Sequence, residues 1–274
     1  VRRRVLEMGI RDWLFRKRQE PPEAEQVQES VRPAARRVAA RAIVLATTVC
    51  RAYLEMQRQE IDNDEDIENA DELREVLLSW PEALGISDEL EPQERDLLQT
   101  PVGTLEQKNV VKACWRAEGL GVLAWALNRF ELPPCDEPNI PPDRSQQSVG
   151  WGNPALAAKL LKSAVLRPQA EIDKLASHIT VVHWRLRQFR LCPVPMDYVG
   201  YLRSHPFFKE RWLQNLPIID RDLAIGDKAV ADAPADVVRT CESIAVERAI
   251  AAYWLRGDDP IYSNVDPSTI LSGA

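Results

Sequence analysis

No stretch of the chain approaches the roughly 18 to 20 uninterrupted apolar residues that a bilayer-spanning helix requires. The best candidates, Ala42 to Cys50 and Gly119 to Leu127, are far too short, so a transmembrane segment is excluded and a soluble protein is expected. An excess of positive charge is also missing, since 35 Lys and Arg face 42 Asp and Glu for a formal charge of −7. A surface that grips DNA or RNA must offset phosphate charge, so no nucleic-acid partner is expected. Cysteine is sparse and scattered: Cys50, Cys114, Cys135, Cys192 and Cys241 form no C-x-x-C pair that would clamp a metal or run redox chemistry. They read as reduced thiols of a cytoplasmic protein, mostly packed as small hydrophobes. H-E-x-x-H, E-x-x-H, G-x-S-x-G, a phosphate loop and a dinucleotide glycine fingerprint are all lacking, so neither a metal nor a cofactor is implied.

What is present is a 274-residue chain, 45% apolar and 28% charged, long enough for a sizeable core. Met8-Gly9-Ile10-Arg11-Asp12-Trp13-Leu14 reads like a natural beginning, with residues 1–7 as an upstream extension, and no secretory h-region with a cleavage site follows. Residues 8–18 are basic and place Ile10, Trp13 and Leu14 at helical spacing. They read as a frayed terminus, or alternatively as contact with an anionic membrane surface or a partner. Gln19 to Glu29, with Pro21, Pro22 and four glutamates, has linker composition. The expected organisation is therefore a basic segment and linker over 1–29 and a helical domain over 30–274, its packed part ending near 265.

The fold class expected is all-α, a single helical domain with long irregular loops. Val38, Ala42, Leu45, Val49, Ala52 and Met56 predict a long amphipathic helix from Pro33 to Gln59 with its arginines on the other side. Asp62, Asp64 and Asp66 alternate as in a calcium loop, but Ile67 and Leu73 stand where Gly and Glu are needed, so a solvated acidic loop is expected. Shorter helices are expected over Asp71–Ser79 and Pro92–Leu98. Thr104-x-x-Gln107 has the form of a capping box opening a helix to about Phe130. Five prolines between 133 and 142 predict an irregular loop to Gly152. Ile172, Leu175, Ile179, Val182, Leu186 and Phe189 form a nearly heptad stripe and predict a helix over 168–190. Short helices follow near 196–202 and 206–214. Ile218–Val230, centred on Gly226-Asp227, is a candidate small β-hairpin, and a last helix over Ala235–Arg256 should stop at Gly257. The expected core includes Leu45, Val49, Leu123, Trp125, Ile179, Val182, Leu186, Ile250 and Trp254.

The most distinctive stretch is Trp115-Arg116-Ala117-Glu118 and the apolar residues after it. On a helix Trp115, Glu118, Val122 and Trp125 share a face, which sets a carboxylate among large apolar groups and demands a partner for it. The last helix repeats the arrangement with Glu247 beside Trp254 and Arg248 adjacent, and His183-Trp184-Arg185 brings polar groups beside a third tryptophan. Arg41-Ala42 with Leu45, Trp115 to Leu127, His183-Trp184-Arg185 and Glu247 to Leu255 together resemble the mainly bacterial domain-of-unknown-function family 4272 over roughly residues 30–265. Members often carry His where this chain has Ala249. The resemblance implies the architecture and brings no activity, ligand or catalytic residue.

Two uses of these residues are open. Arg116, Glu118, Arg185, Glu247 and Arg248 can form a buried polar network that fixes how the helices meet, with arginine pairing to carboxylates and stacking on tryptophan. Alternatively Glu118, His183 and Glu247 serve as general acid and base, or as hard-metal ligands, in an interhelical pocket of a hydrolase-type enzyme. Cys114 as a nucleophile is disfavoured against core packing, and His178 and His205 add nothing. A non-catalytic binding or interaction domain is the function expected, with a protein partner or self-association through the acidic 60–96 region and the basic opening.

Overall fold

The computed structural model describes residues 32–58, 64–137, 142–205, 208 and 215–268. The basic opening, the linker, Asp62 and most of the helix expected over 206–214 lie outside them. Helix α1 (Ala35–Arg58) is followed by α2 (Asp64–Ala83), a 3-10 turn (Ser87–Glu89), α3 (Pro92–Gln99) and α4 (Gln107–Ala126). Then come α5 (Pro142–Ser148), α6 (Pro154–Ser163), α7 (Gln169–Leu191) and α8 (Tyr198–Ser204). Strands β1 (Ile218–Ile219), β2 (Asp222–Ile225) and β3 (Lys228–Ala229), helix α9 (Ala235–Arg256) and a final 3-10 turn (Tyr262–Asn264) complete the described chain. The protein is mostly α, as expected.

Helix α1 is the hub. It packs on α4, and also touches α2, α3, α5 and α6, while α9 packs on α4 and α7 on α9. Residues 38–49 are buried without interruption. For two of the arginines of α1 this overturns the expectation that they line the side away from the core: Arg41 and Arg51 are 1% and 0% exposed, while Arg36 is exposed. A helix covered on one side shows an apolar stripe, but a central helix is covered all round, and its cations go inward once each has a carboxylate, Arg41 from Glu94 and Arg51 from Glu55 of α1 itself. At its far end Met56 is 44% exposed instead of buried.

Other boundaries moved for local reasons. Helix α2 is longer than Asp71–Ser79 because its first turns are acidic and carry no apolar period, and because it runs through Pro81, where the edge of Trp80 rests on Trp151 at 5.3 Å. The Thr104 capping box does not form. Helix α4 starts at Gln107, and the Thr104 hydroxyl donates back to the Pro101 carbonyl at 2.8 Å. The helix ends at Ala126, with Asn128 left-handed two residues on (φ 60°). Within the stretch expected to be irregular, α5 is a polar helix with no apolar period to announce it. It is held from outside, its Gln146 Nε2 donating to the Ala46 carbonyl of α1 at 3.3 Å. Helix α6, also unanticipated, is capped by Asn153, whose side chain accepts the Leu156 amide at 3.1 Å.

The expected hairpin is a three-stranded antiparallel ribbon in the order β1-β2-β3. Gly226-Asp227 joins β2 to β3, and Asp220 and Arg221, both with positive φ (49° and 67°), join β1 to β2. Helix α9 stops as predicted: Gly257 is left-handed (φ 91°) and donates to the Trp254 carbonyl at 3.0 Å, while Asp258 N–H reaches the Tyr253 carbonyl at 3.1 Å. All of the expected core residues are buried except Trp125 and Ile250, which are half-buried and packed against the core.

Candidate functional site

Helices α4 and α9 meet through two reciprocal ion pairs. Helix α4 offers a cation and then an anion, α9 an anion and then a cation: Arg116 Nη1 donates to Glu247 Oε2 at 3.2 Å, and Arg248 Nε donates to Glu118 Oε2 at 2.8 Å. Arg248 also donates from Nη1 to the Pro133 carbonyl at 2.6 Å. All four residues are buried. Gly119 permits the close approach, since a Cβ there would lie 2.3 Å from the Tyr262 hydroxyl oxygen and 3.6 Å from the Glu247 carbonyl.

Behind these pairs, two guanidinium groups lie over the Tyr262 ring, with Arg41 and Arg116 centred 5.2 and 5.5 Å from it. Arg41 pairs with Glu94, stands 3.5 Å from Glu91 and donates to the Glu89 carbonyl at 2.7 Å. Glu91 in turn accepts the Ser263 amide at 3.1 Å, which ties the start of α3 to the end of the described chain. Arg51 donates to Glu55 at 2.8 Å and to the carbonyls of Thr100 and Pro101, and Glu55 accepts the Leu105 amide at 3.0 Å. The charged network thus spans α1, α3, α4, α9 and the last turn.

Burial pushes the Glu247 carboxyl upward, and the neighbouring Arg116 and Lys112 offset part of that shift. For Arg116 burial pulls down, but Glu247, Tyr262, Glu94 and Glu91 together raise it, so it stays charged. The Tyr262 hydroxyl, buried without a hydrogen-bond partner, is pushed well up by desolvation.

Of the residues singled out in the sequence, Arg116, Glu118, Glu247 and Arg248 come together and Arg185 does not. Arg185 grips Asp222 of β2 with both prongs, Nε to Oδ1 at 2.6 Å and Nη2 to Oδ2 at 2.5 Å, and lies over Phe189. Trp184 stacks on Tyr201 with ring centres 4.5 Å apart. Trp254 meets Tyr262 edge-on at 5.7 Å, Trp125 carries the Arg167 guanidinium at 4.7 Å, and Trp115 is half-buried. His183 is buried, its Nδ1 without a partner, and among the described residues no hydrogen bond or ion pair joins it to Glu118 or Glu247. Cys114 is half-buried 3.6 Å from the Met56 sulfur, and desolvation raises its pKa, the opposite of what activates a nucleophile. No group of three His, Cys, Asp or Glu among the described residues is arranged to hold a metal.

Sequence reasoning named Arg41 only as part of the family motif, and missed Arg51, Glu91, Glu94, Tyr262 and Asp222. For Arg41 a signal was present, because it lies three residues after Val38 and four before Leu45, on the apolar face itself. Against the network opens a cleft of about 230 Å³ between α1, α3 and α4, lined among others by Thr48, Glu94, Asp96, Lys112 and Arg116.

Fold and site define a helical domain whose internal charges are paired across helices beside a small cleft of mixed polar and apolar lining. The chain belongs to the Domain of unknown function (DUF4272) family, whose model matches residues 15–206. The match takes in Arg116, Glu118 and Arg185 and ends before Asp222, Glu247, Arg248 and Tyr262, so the late Glu247 to Leu255 segment lies beyond it. Comparison with curated proteins and with solved structures gives no match.

Proposed function

We propose that the chain is a soluble, cytoplasmic, non-catalytic binding domain, in which the buried Arg–Glu pairs lock the helices and the α1–α3–α4 cleft receives a ligand. The observation that carries this reading is that Glu118 and Glu247 each end on an arginine, so their charge is committed to the scaffold. A carboxylate so held is a poor proton carrier at neutral pH. The five free thiols support a reducing compartment. Leu73 and Val76, 39% and 51% exposed on the acidic helix α2, support a protein contact in addition.

The alternative, a hydrolase-type or metal-assisted enzyme using Glu118, His183 and Glu247, is favoured by one observation, the upward shift of Glu247. The separation of His183 from both carboxylates in the bonding network speaks against it.

The test is the unfolding free energy of Glu118→Gln and Glu247→Gln against the parent. Each is expected to lose ~3–5 kcal/mol, because it strands a buried arginine. Stability that is unchanged or higher would mean the carboxylate is kept at a cost to the fold, as reactive groups are, and would put the enzyme in place of the binding domain.

A further inference from the structure

The cleft has walls of opposite charge. On the α4 side stands Arg116, 8% exposed, which makes one hydrogen bond among the described residues, to Glu247. A guanidinium has five N–H donors, so this wall holds a buried cation with donors to spare. One turn earlier on the same helix Lys112 is exposed, makes no ion pair among the described residues and lies near enough to draw down the Glu247 pKa. Positions i and i+4 share a helix face, so the two cations line one wall together.

Across from them α3 presents Asp96, an exposed carboxylate with no ion pair among the described residues, next to Glu94, whose charge is taken by Arg41. Leu97, Leu105 and Ala113 add an apolar surface. A ligand that is purely anionic is repelled by Asp96, and one that is purely cationic by Lys112 and Arg116. A small molecule carrying both charges is attracted at both ends. The volume, about 230 Å³, fits a compact molecule that displaces several waters of ~30 Å³ each.

Resting on the binding-domain reading, we infer that the cleft binds a free α-amino acid, its carboxylate toward Arg116 and Lys112 and its ammonium toward Asp96. The apolar residues between the walls then face the amino-acid side chain and select among side chains.

The experiment is isothermal titration calorimetry of the full chain with the twenty common α-amino acids, and with the N-acetyl and amide derivatives of any that binds. At least one free amino acid is expected to bind, and both of its derivatives to bind roughly tenfold more weakly or worse, since each loses one charged hydrogen-bonding end. Asp96→Asn and Lys112→Gln are surface changes outside the buried pairs. Each is expected to weaken binding by a similar factor with the thermal midpoint unchanged. Equal binding of the N-acetyl derivative, or undiminished binding by both variants, overturns the inference while leaving a binding domain in place. Silence from all twenty amino acids also overturns it, and the Glu118→Gln and Glu247→Gln measurements then judge the binding-domain reading separately.

Discussion

His183 has its imidazole inside the protein, with Nδ1 cut off from any partner and the charges of Arg187 and Arg190 nearby. Burial first, and those arginines second, pull its pKa from 6.5 down to about 4, with Asp266 opposing. Between those two values the unfolded chain takes up a proton that the folded chain refuses. The stabilisation is therefore complete above pH 6.5 and is lost as pH falls toward 4, by on the order of 2–3 kcal/mol. Glu247, shifted upward, runs the other way, so the histidine is isolated by comparison with His183→Leu. Urea midpoints from pH 7 to 4.5 should fall less steeply in that variant than in the parent, and identical slopes would show that another group carries the acid sensitivity.

The same residue illustrates what the sequence could and could not disclose. Its place beside the apolar stripe of α7 was readable from spacing, but its isolation from Glu118 and Glu247 was not, because spacing within one helix says nothing about what stands on the next. Arg185 is the counterpart: its need for an anion was evident, while the anion, Asp222, lies 37 residues away on a strand of four residues.

Helix α4 depends on Gly119 at its crossing with α9. Glycine inside a helix costs ~1 kcal/mol relative to alanine, so replacement would ordinarily help. Here a methyl group would lie within 2.3 Å of the Tyr262 hydroxyl, whose ring carries the guanidinium groups of Arg41 and Arg116. The crowding outweighs the propensity gain, and Gly119→Ala is expected to lose about 1–2 kcal/mol in chemical denaturation. Tyr262→Phe, which removes a hydroxyl that has no hydrogen-bond partner, should be nearly neutral alone and should relieve the loss in the double variant. A single Gly119→Ala variant as stable as the parent would show that α9 does not rest on this glycine.

Elements were legible in proportion to how much of their stability is local or one-sided. Helices α7 and α9 carry an apolar stripe or a left-handed glycine stop, and both were found within about a turn of their ends. Helix α5 is polar, short and stabilised by α1, so its own residues hold no signal. The other turn of the ribbon, Asp220-Arg221, holds Arg221 at positive φ, which an arginine seldom takes, and this is why one hairpin was expected and two are found.

At the scale of the molecule, two apolar clusters share the long helices. Ile172, Ala176 and Ile179 of α7 belong to the larger cluster, and Val181, Val182 and Leu186 of the same helix to the smaller. Helix α9 is divided likewise, with Val238, Cys241 and Ala245 in the smaller cluster and Ala249 to Leu255 mostly in the larger. The two helices are joined at the boundary by Thr180 and Tyr253, hydroxyl to hydroxyl at 2.9 Å. Since neither cluster can open without breaking both helices, amides of 172–179 and of 181–186 should exchange hydrogen with one common opening free energy under mild denaturant. Two distinct values would show that the clusters melt separately.

The reciprocal pairs between α4 and α9 also impose an order in time. Arg116 and Glu247 are 131 positions apart, and Glu118 and Arg248 are 130. A ribosome releases α4 well before it begins α9, so Arg116 and Glu118 are made long before the ion-pair partners that α9 brings them. The crossing of α4 and α9 therefore closes only after α9 has emerged, and a chain cut short before Glu247 is expected to lack both pairs at once.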